Sequence, residues 1–194
     1  MRSLLPMLAA AALALAVPAQ ADPRQNPTAD YTADSVSTTD GEPDSVSKIW
    51  YTKDKIRADV TQQGETMTVI LDRPAKKMTV LLPKTKQFQT EPLPADDATN
   101  PLASGTWEVA KAGEETVAGV AATKWSVNGK GADGRAFKGF VWTTKDNIQV
   151  KMEGEAEEDG KTLKVASALK NLKIGPVDAK VFEIPKDYKP MPKE

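Results

Sequence analysis

Residues 55–82 read KIRADVTQQGETMTVILDRPAKKMTVLL, and this stretch decides the fold. Ile56, Ala58 and Val60 alternate with Lys55, Arg57 and Asp59. Met67, Val69 and Leu71 alternate with Thr68 and Ile70, and Met78, Val80 and Leu82 follow Lys77. A period of two sends successive side chains to opposite faces, so each run reads as a strand with one covered face. The runs end in turn residues: Gln63-Gly64-Glu65, Asp72-Arg73-Pro74 and Leu82-Pro83-Lys84. Short strands joined by tight turns predict an antiparallel meander.

Working outward, the same period runs back through the turn Thr52-Lys53-Asp54 to Tyr31, and it returns downstream over residues 120–127, 135–143, 147–155 and 161–172. The downstream runs are separated by Asn128-Gly129-Lys130-Gly131, Lys145-Asp146 and Glu158-Asp159-Gly160. Two meanders of about four to six strands each follow, one over residues 28–90 and one over 107–175. Between them, residues 91–106 carry Pro92, Pro94 and Pro101 among Asp96, Asp97 and Asn100, a composition unfit for a sheet interior. This is a crossing loop, open to reading as a lid or as a plain connection, with room for a short helix over 95–103. Residues 176–182 suit one helical turn with Pro176 at its start. The tail beyond Pro185 reads as loosely ordered. The expected fold class is mostly β with few short helices: a single domain over residues 22–194, built on a curved antiparallel sheet.

The first 21 residues are set apart from this domain. Arg2 is followed by an apolar, Ala-rich run over residues 4–17, and Ala19-Gln20-Ala21 is a small-x-small cleavage site. This reads as a secretory signal peptide cleaved after Ala21, which sends the mature chain to an oxidising compartment outside the cytoplasm. The run is shorter than the ~20 apolar residues of a spanning helix, and nothing later qualifies as a membrane segment.

Composition excludes much chemistry. The 194 residues contain neither His nor Cys, which removes thiolate nucleophiles, Ser-His-Asp triads, ordinary zinc or haem sites and disulfides. With 26 basic and 27 acidic residues interspersed along the chain, no basic face for nucleic acid is expected. No catalytic residue, metal site or cofactor is assigned. Glu153, Glu155 and Glu157 share one strand face and Glu158 and Asp159 follow, a set that can do acid–base work, yet it also matches a solvated face. Ser35, Ser37, Ser45, Ser47 and Ser126 have no base to activate them. The glycine-rich turns join strands and precede no helix, so they are hairpins and not phosphate cradles.

Trp50, Trp107, Trp125 and Trp142, with Tyr51, Phe88, Phe137 and Phe140, fall on strands or at their ends. Such a stripe fills the core of a curved sheet, or, if the sheet stays open, lines a concave apolar cavity.

Lys48-Ile49-Trp50-Tyr51-Thr52-Lys53-Asp54-Lys55-Ile56-Arg57, the hairpin to Thr68-Val69-Ile70-Leu71-Asp72, and Met78-Thr79-Val80-Leu81-Leu82-Pro83 resemble the first sheet of LolA-like periplasmic proteins, the outer-membrane lipoprotein carriers and their relatives. Gly113-Glu114-Glu115-Thr116-Val117-Ala118-Gly119-Val120, Lys124-Trp125 and the ending Val181-Phe182-Glu183-Ile184-Pro185-Lys186-Asp187-Tyr188 resemble a DUF4412-type member of that group. The resemblance implies a LolA-like half-barrel with an apolar concave face. Two departures stand out. The long N-terminal amphipathic helix of the carrier has no counterpart in residues 22–30, and Lys53 stands in the turn where the carrier has an Arg, whose forked hydrogen bonding Lys cannot reproduce.

The expectation is therefore a non-enzymatic, monomeric envelope protein that binds a lipid, an acyl group or another apolar ligand. Trp50, Met67, Val69, Met78, Val80, Trp125 and Trp142 are the expected wall, with Lys53 and Arg57 at the rim for an anionic head group. A filled-core module that docks a cell-envelope protein is the first alternative. A hydrolase using Glu153, Glu155 or Asp159 is the second.

Overall fold

A computed structural model describes residues 21–93, 100–158 and 160–192. Residues 1–20, most of the stretch read as a signal peptide over 1–21, lie outside the described residues, as do 94–99 of the crossing loop, Asp159 and the last two residues.

Among the described residues, one sheet of twelve strands takes up most of the chain. The first meander is β1 (Tyr31–Thr39), β2 (Ser45–Tyr51), β3 (Lys55–Gln62), β4 (Glu65–Asp72), β5 (Lys77–Leu82) and β6 (Gln87–Pro92). The second is β7 (Thr106–Val117), β8 (Val120–Lys130), β9 (Ala136–Thr143), β10 (Gln149–Glu158) and β11 (Lys161–Ile174). Each meander pairs in chain order because its turns are too short for anything but a neighbour: Gln63-Gly64 and Ala118-Gly119 both have the two positive φ values of a tight hairpin. The first and last long strands, β1 and β11, then pair antiparallel and fuse the meanders into one curved sheet that does not close. This is the half-barrel expected from the sequence.

The tail differs from its expectation. Residues 189–190 form β12 (Lys189–Pro190), which runs parallel to β6 and pairs with its first two residues, Gln87 and Phe88. Lys189 N donates to Lys86 O and Met191 N to Phe88 O. Pro190 fits here because an added edge strand needs few ladder donors. The helical turn before it spans Ala179–Phe182, starting later than Pro176 because the Asp178 side chain caps it by accepting from Lys180 N. In the crossing loop the described helix is a single 3-10 turn, Pro101–Ala103, with Asn100 as its cap.

The register assigns every strand residue to a face. Tyr31, Ala33, Ser35 and Ser37 of β1 share a face with Ile49 and Tyr51 of β2, Ile56 and Val60 of β3, Met67 and Val69 of β4, and Val80 of β5. In the other direction that face continues to Leu169 of β11, Met152 of β10, Val141 of β9 and Trp125 of β8. We call it the inner face.

Three apolar cores follow. The largest joins inner-face Tyr31, Ala33, Tyr51, Ile56 and Leu169 to Ile148 and Val150, both fully buried, and through them to Trp142 and Ala122 of the outer face. A register shift between Gln149 and Lys151 accompanies this crossover between faces. The second core lies on the outer face of the first meander, where Ile70 and Leu81 are covered by Phe182 of the C-terminal segment. The third lies on the inner face of the second meander, where Leu102 of the 3-10 turn packs on Val127 and Val141.

Candidate functional site

A cavity of about 670 Å³ opens on the inner face between β1, β9, β10 and β11 and the 3-10 turn. Leu102, Trp107, Phe137, Val141, Met152 and Val165 give it apolar walls; Ser37, Thr39 and Ser167 line one flank; Asp133 and Arg135 stand in its lining from the β8–β9 turn. A volume in the range of about 300–1,000 Å³ with mostly apolar lining is that of a small-ligand pocket.

Its shape comes from glycines. Gly139 of β9 and Gly154 of β10 are cross-strand partners, and Gly129 of β8 pairs with Phe137. A Cβ at Gly154 would meet Gly139 Cα at 2.8 Å and Phe137 Cε2 at 2.9 Å, so the Phe137 ring lies where side chains would otherwise stand. A Cβ at Gly129 would likewise meet the Trp107 ring, at 3.0 Å from Cε3. Aromatic rings laid over strand glycines restore the packing the glycines lack and leave a smooth apolar wall.

The roof is tied down by polar contacts. Trp107 Nε1 donates to Ser104 O at 2.7 Å, and Asn100 Oδ1 accepts from Leu102 N at 3.0 Å. Asn100 Nδ2 donates to Pro23 O and Gln25 O, both at 3.2 Å, binding the roof to the N-terminal segment. That segment is fixed in turn: Asp22 N donates to Asn147 Oδ1, Thr28 N to Asp146 O, and Tyr51 Oη to Pro27 O. At the mouth, Asp133 accepts from both Arg135 N and Arg135 Nε, the latter at 2.9 Å.

The residues expected to form the wall divide between the faces. Met67, Val69, Met78, Val80 and Trp125 lie on the inner face. Trp125 sits in the third core with its Nε1 donating to Thr143 Oγ1 at 2.8 Å. Met67, Val69, Met78 and Val80 line the other half of the sheet, away from the cavity, and Met67 is 40% exposed. Trp50 and Trp142 lie on the outer face. Trp50 is held between Lys48 and Arg57, with the cations 5.3 and 5.2 Å from its ring, and packs on the second core. Trp142 is buried under Lys124 and Lys151, at 4.8 and 4.3 Å, and its Nε1 donates to Glu115 Oε2 at 2.9 Å. Alternation alone could not place these two, because β2 and β9 are apolar on both sides and each face has its own core.

Arg57 also lies on the outer face. It donates from Nε and Nη2 to Asp59 and from Nη1 to Val181 O, fastening the C-terminal segment. Lys53 is exposed in the β2–β3 turn. Glu153, Glu155 and Glu157 lie on the outer face, with Glu153 paired to Lys151 at 2.6 Å. Among the described residues that line the cavity, Asp133 is the only carboxylate, so the cavity does not bring an acid–base pair together. Among the described residues no group of three His, Cys, Asp or Glu could hold a metal.

Phe137 and Trp107 of the lining belong to the aromatic stripe that the sequence offered as core or cavity wall, whereas Leu102, Val141 and the glycine row were not singled out by the sequence. The legible signal was the occurrence of Gly129, Gly139 and Gly154 inside strand-period runs, which marks a close approach.

No family model matches the chain, and no curated protein matches it. Solved structures do. An uncharacterized conserved protein from Thermus thermophilus aligns with a TM-score of 0.58 at 14% identity, over 84% of this chain and 90% of that one. The MucA/MucB complex of Pseudomonas aeruginosa aligns at 0.53 and 15% identity, over 85% of this chain and 58% of that one. A structure of MucB alone gives 0.52 at 15% identity, with 82% and 58% coverage. The chain thus spans little more than half the length of the MucB chains. At these identities the likeness is one of fold: this chain has the same kind of curved open sheet.

Proposed function

We propose that this is a non-enzymatic, periplasmic, monomeric protein that binds a lipid, an acyl group or another apolar ligand against the inner face of its half-barrel. The observation that carries the reading is the 670 Å³ cavity with walls of Leu102, Trp107, Phe137, Val141 and Met152. An apolar recess of this size is what a small apolar ligand needs and what a docking module with a filled core does not call for. Met67, Val69, Met78 and Val80 extend the apolar surface along the inner face, and Trp125 backs the cavity. Arg135 takes over the rim role expected of Arg57, and Lys53 remains available at the far end of β2. The LolA-like and DUF4412-type affiliation is part of this reading; it rests on the strand-and-turn pattern and on the half-barrel.

Native mass spectrometry of the protein secreted into a bacterial periplasm, with lipid extraction, tests the proposal. A bound mass that extracts as phospholipid, fatty acid or acylated peptide is expected, and Val141→Asp should remove it. A clean apo mass, with no rise in melting temperature on adding fatty acids or phospholipid, overturns it. In that case the protein-docking alternative gains, because the apolar surface around Met67 would then need another partner.

A further inference from the structure

The sequence repeats Asp-Ser-Val-Ser, at residues 34–37 and at 44–47. On β1 and β2 this pattern inverts the usual rule. The serines face inward and the valines outward: Ser35 is 8% exposed whereas Val46 is 48% exposed. Ser37, Ser45, Ser47 and Val36 are all half-buried, and hydroxyls that take the inner face while the valines turn outward call for a polar purpose on that face.

The register gathers them. Ser35 pairs with Ser47 and Ser37 with Ser45 across β1–β2, and Ser37 pairs with Ser167 across β1–β11. Five hydroxyls therefore form one band across three adjacent strands. Among the described residues none of the five has a hydrogen-bond partner, and no buried side-chain polar atom is left unpartnered. Ser37, Ser45, Ser47 and Ser167 are half-buried and present their hydroxyls to the open part of the inner face, whereas Ser35 is nearly covered. Ser37 and Ser167 line the cavity directly.

Both flanks of the band are apolar. The row through Ser37 and Ser167 continues to Met152 and Val141 in the cavity. The row through Ser35 and Ser47 continues the other way to Val60 and Met67. The inner face is thus apolar, hydroxyl, apolar in sequence, with no charged group in the band.

We propose that the serine band reads the ester junction of a two-chain lipid, with one acyl chain in the cavity beside Met152 and Val141 and the other along Val60 and Met67. This rests on the apolar-ligand reading above and deepens it. Each serine hydroxyl can donate to an ester carbonyl and needs no charge to do so. An ether-linked lipid has the same apolar bulk but lacks the carbonyl acceptors, so the two linkages separate hydrogen bonding from burial.

The test compares three ligands on the full secreted chain: dioleoyl phosphatidylglycerol, its dialkyl ether analogue and oleate, each offered from detergent-free dispersions and read by native mass spectrometry titration. The ester lipid is expected to bind about tenfold more tightly than the ether analogue, the size of one to two net hydrogen bonds. Ser35→Ala/Ser37→Ala/Ser47→Ala should bring the two affinities within about twofold while leaving ether-lipid binding unchanged. If that variant does not fold, Ser47→Ala alone, on the less buried strand, should reduce the preference. Equal binding of ester and ether by the native protein, or a preference that survives the serine changes, overturns the inference while leaving the apolar-ligand reading in place. Failure of all three to bind removes that reading and the inference with it.

Discussion

Gly154 shows how much of the site one residue can hold. Its Cβ position is taken by Gly139, Lys138 O and the Phe137 ring. Gly154→Ala must displace backbone or ring, and such overpacking costs about 1–3 kcal/mol. A urea midpoint lowered by that amount is expected; an unchanged midpoint would mean that the ring does not rest on the glycines. Asp72 shows a second kind of control. Lys55 Nζ lies 2.8 Å from Asp72 Oδ2, and Ala75 N donates to Asp72 Oδ1 at 3.0 Å. The hydrogen bond from Lys55, aided by that from Ala75, holds the carboxyl below its ordinary value of 3.8. Its folded-state pKa is depressed, so its stabilising contribution is complete above 3.8 and disappears as pH falls through the lowered folded value. The stability difference between the native protein and Asp72→Asn should therefore stay constant from about pH 7 to about pH 5 and shrink below about pH 4. Urea titrations at four pH values would show this. A difference that persists at about pH 2 would contradict it.

The C-terminal segment acts as an element with two tasks. It covers the outer face of the first meander, where Phe182 packs with Ile70 and Leu81 and Arg57 holds Val181 O. It also pairs with the start of the β6 edge, at Gln87 and Phe88, through β12. Phe182→Ala should cost about 3 kcal/mol, the lower end for a buried Phe, measured by chemical unfolding. Removing residues 176–194 should do something different. It bares Ile70, Leu81 and a row of unpaired backbone groups, so light scattering should show association even where the shortened chain retains strand signal in circular dichroism. A monodisperse truncated protein would show that the segment guards no edge. The opposite edge, β7, is handled otherwise: the register shifts between Lys111 and Gly113, and Glu108, Lys111, Glu114 and Glu115 place charges along it. A bulge and charges are the usual means of discouraging a further strand.

At the scale of the molecule, the fused meanders produce two unequal halves. The second half has its inner face roofed by Leu102 and Trp107; the first has its outer face roofed by the C-terminal segment and leaves Met67, Val69 and Val80 open. The four tryptophans report on these regions separately. Trp107 lines the cavity, whereas Trp50 and Trp142 are packed on the outer face. If an apolar ligand enters the cavity, the fluorescence change on adding oleate should be reduced in Trp107→Phe, with Trp125 behind the cavity supplying the remainder, and kept in full in Trp50→Phe. Loss in Trp50→Phe instead would move binding to the other side of the sheet.

Period-two alternation with short Gly- and Pro-bearing turns was enough to determine the two meanders and their chain-order pairing, since such turns reach only the next strand. The absence of His and Cys was likewise enough to rule out whole classes of chemistry. The sequence could not reveal which side of a doubly apolar strand faces the cavity, as Trp50 and Trp142 show, because alternation fixes parity and not direction. It also could not reveal that Lys189–Pro190 would add a strand, since two residues carry no period. Tertiary structure decided both. The pairing of β1 with β11 set one face of the whole sheet inward, and residues far apart in the chain, Leu102 on one side and Phe182 on the other, then determined which apolar patches were covered and which stayed open.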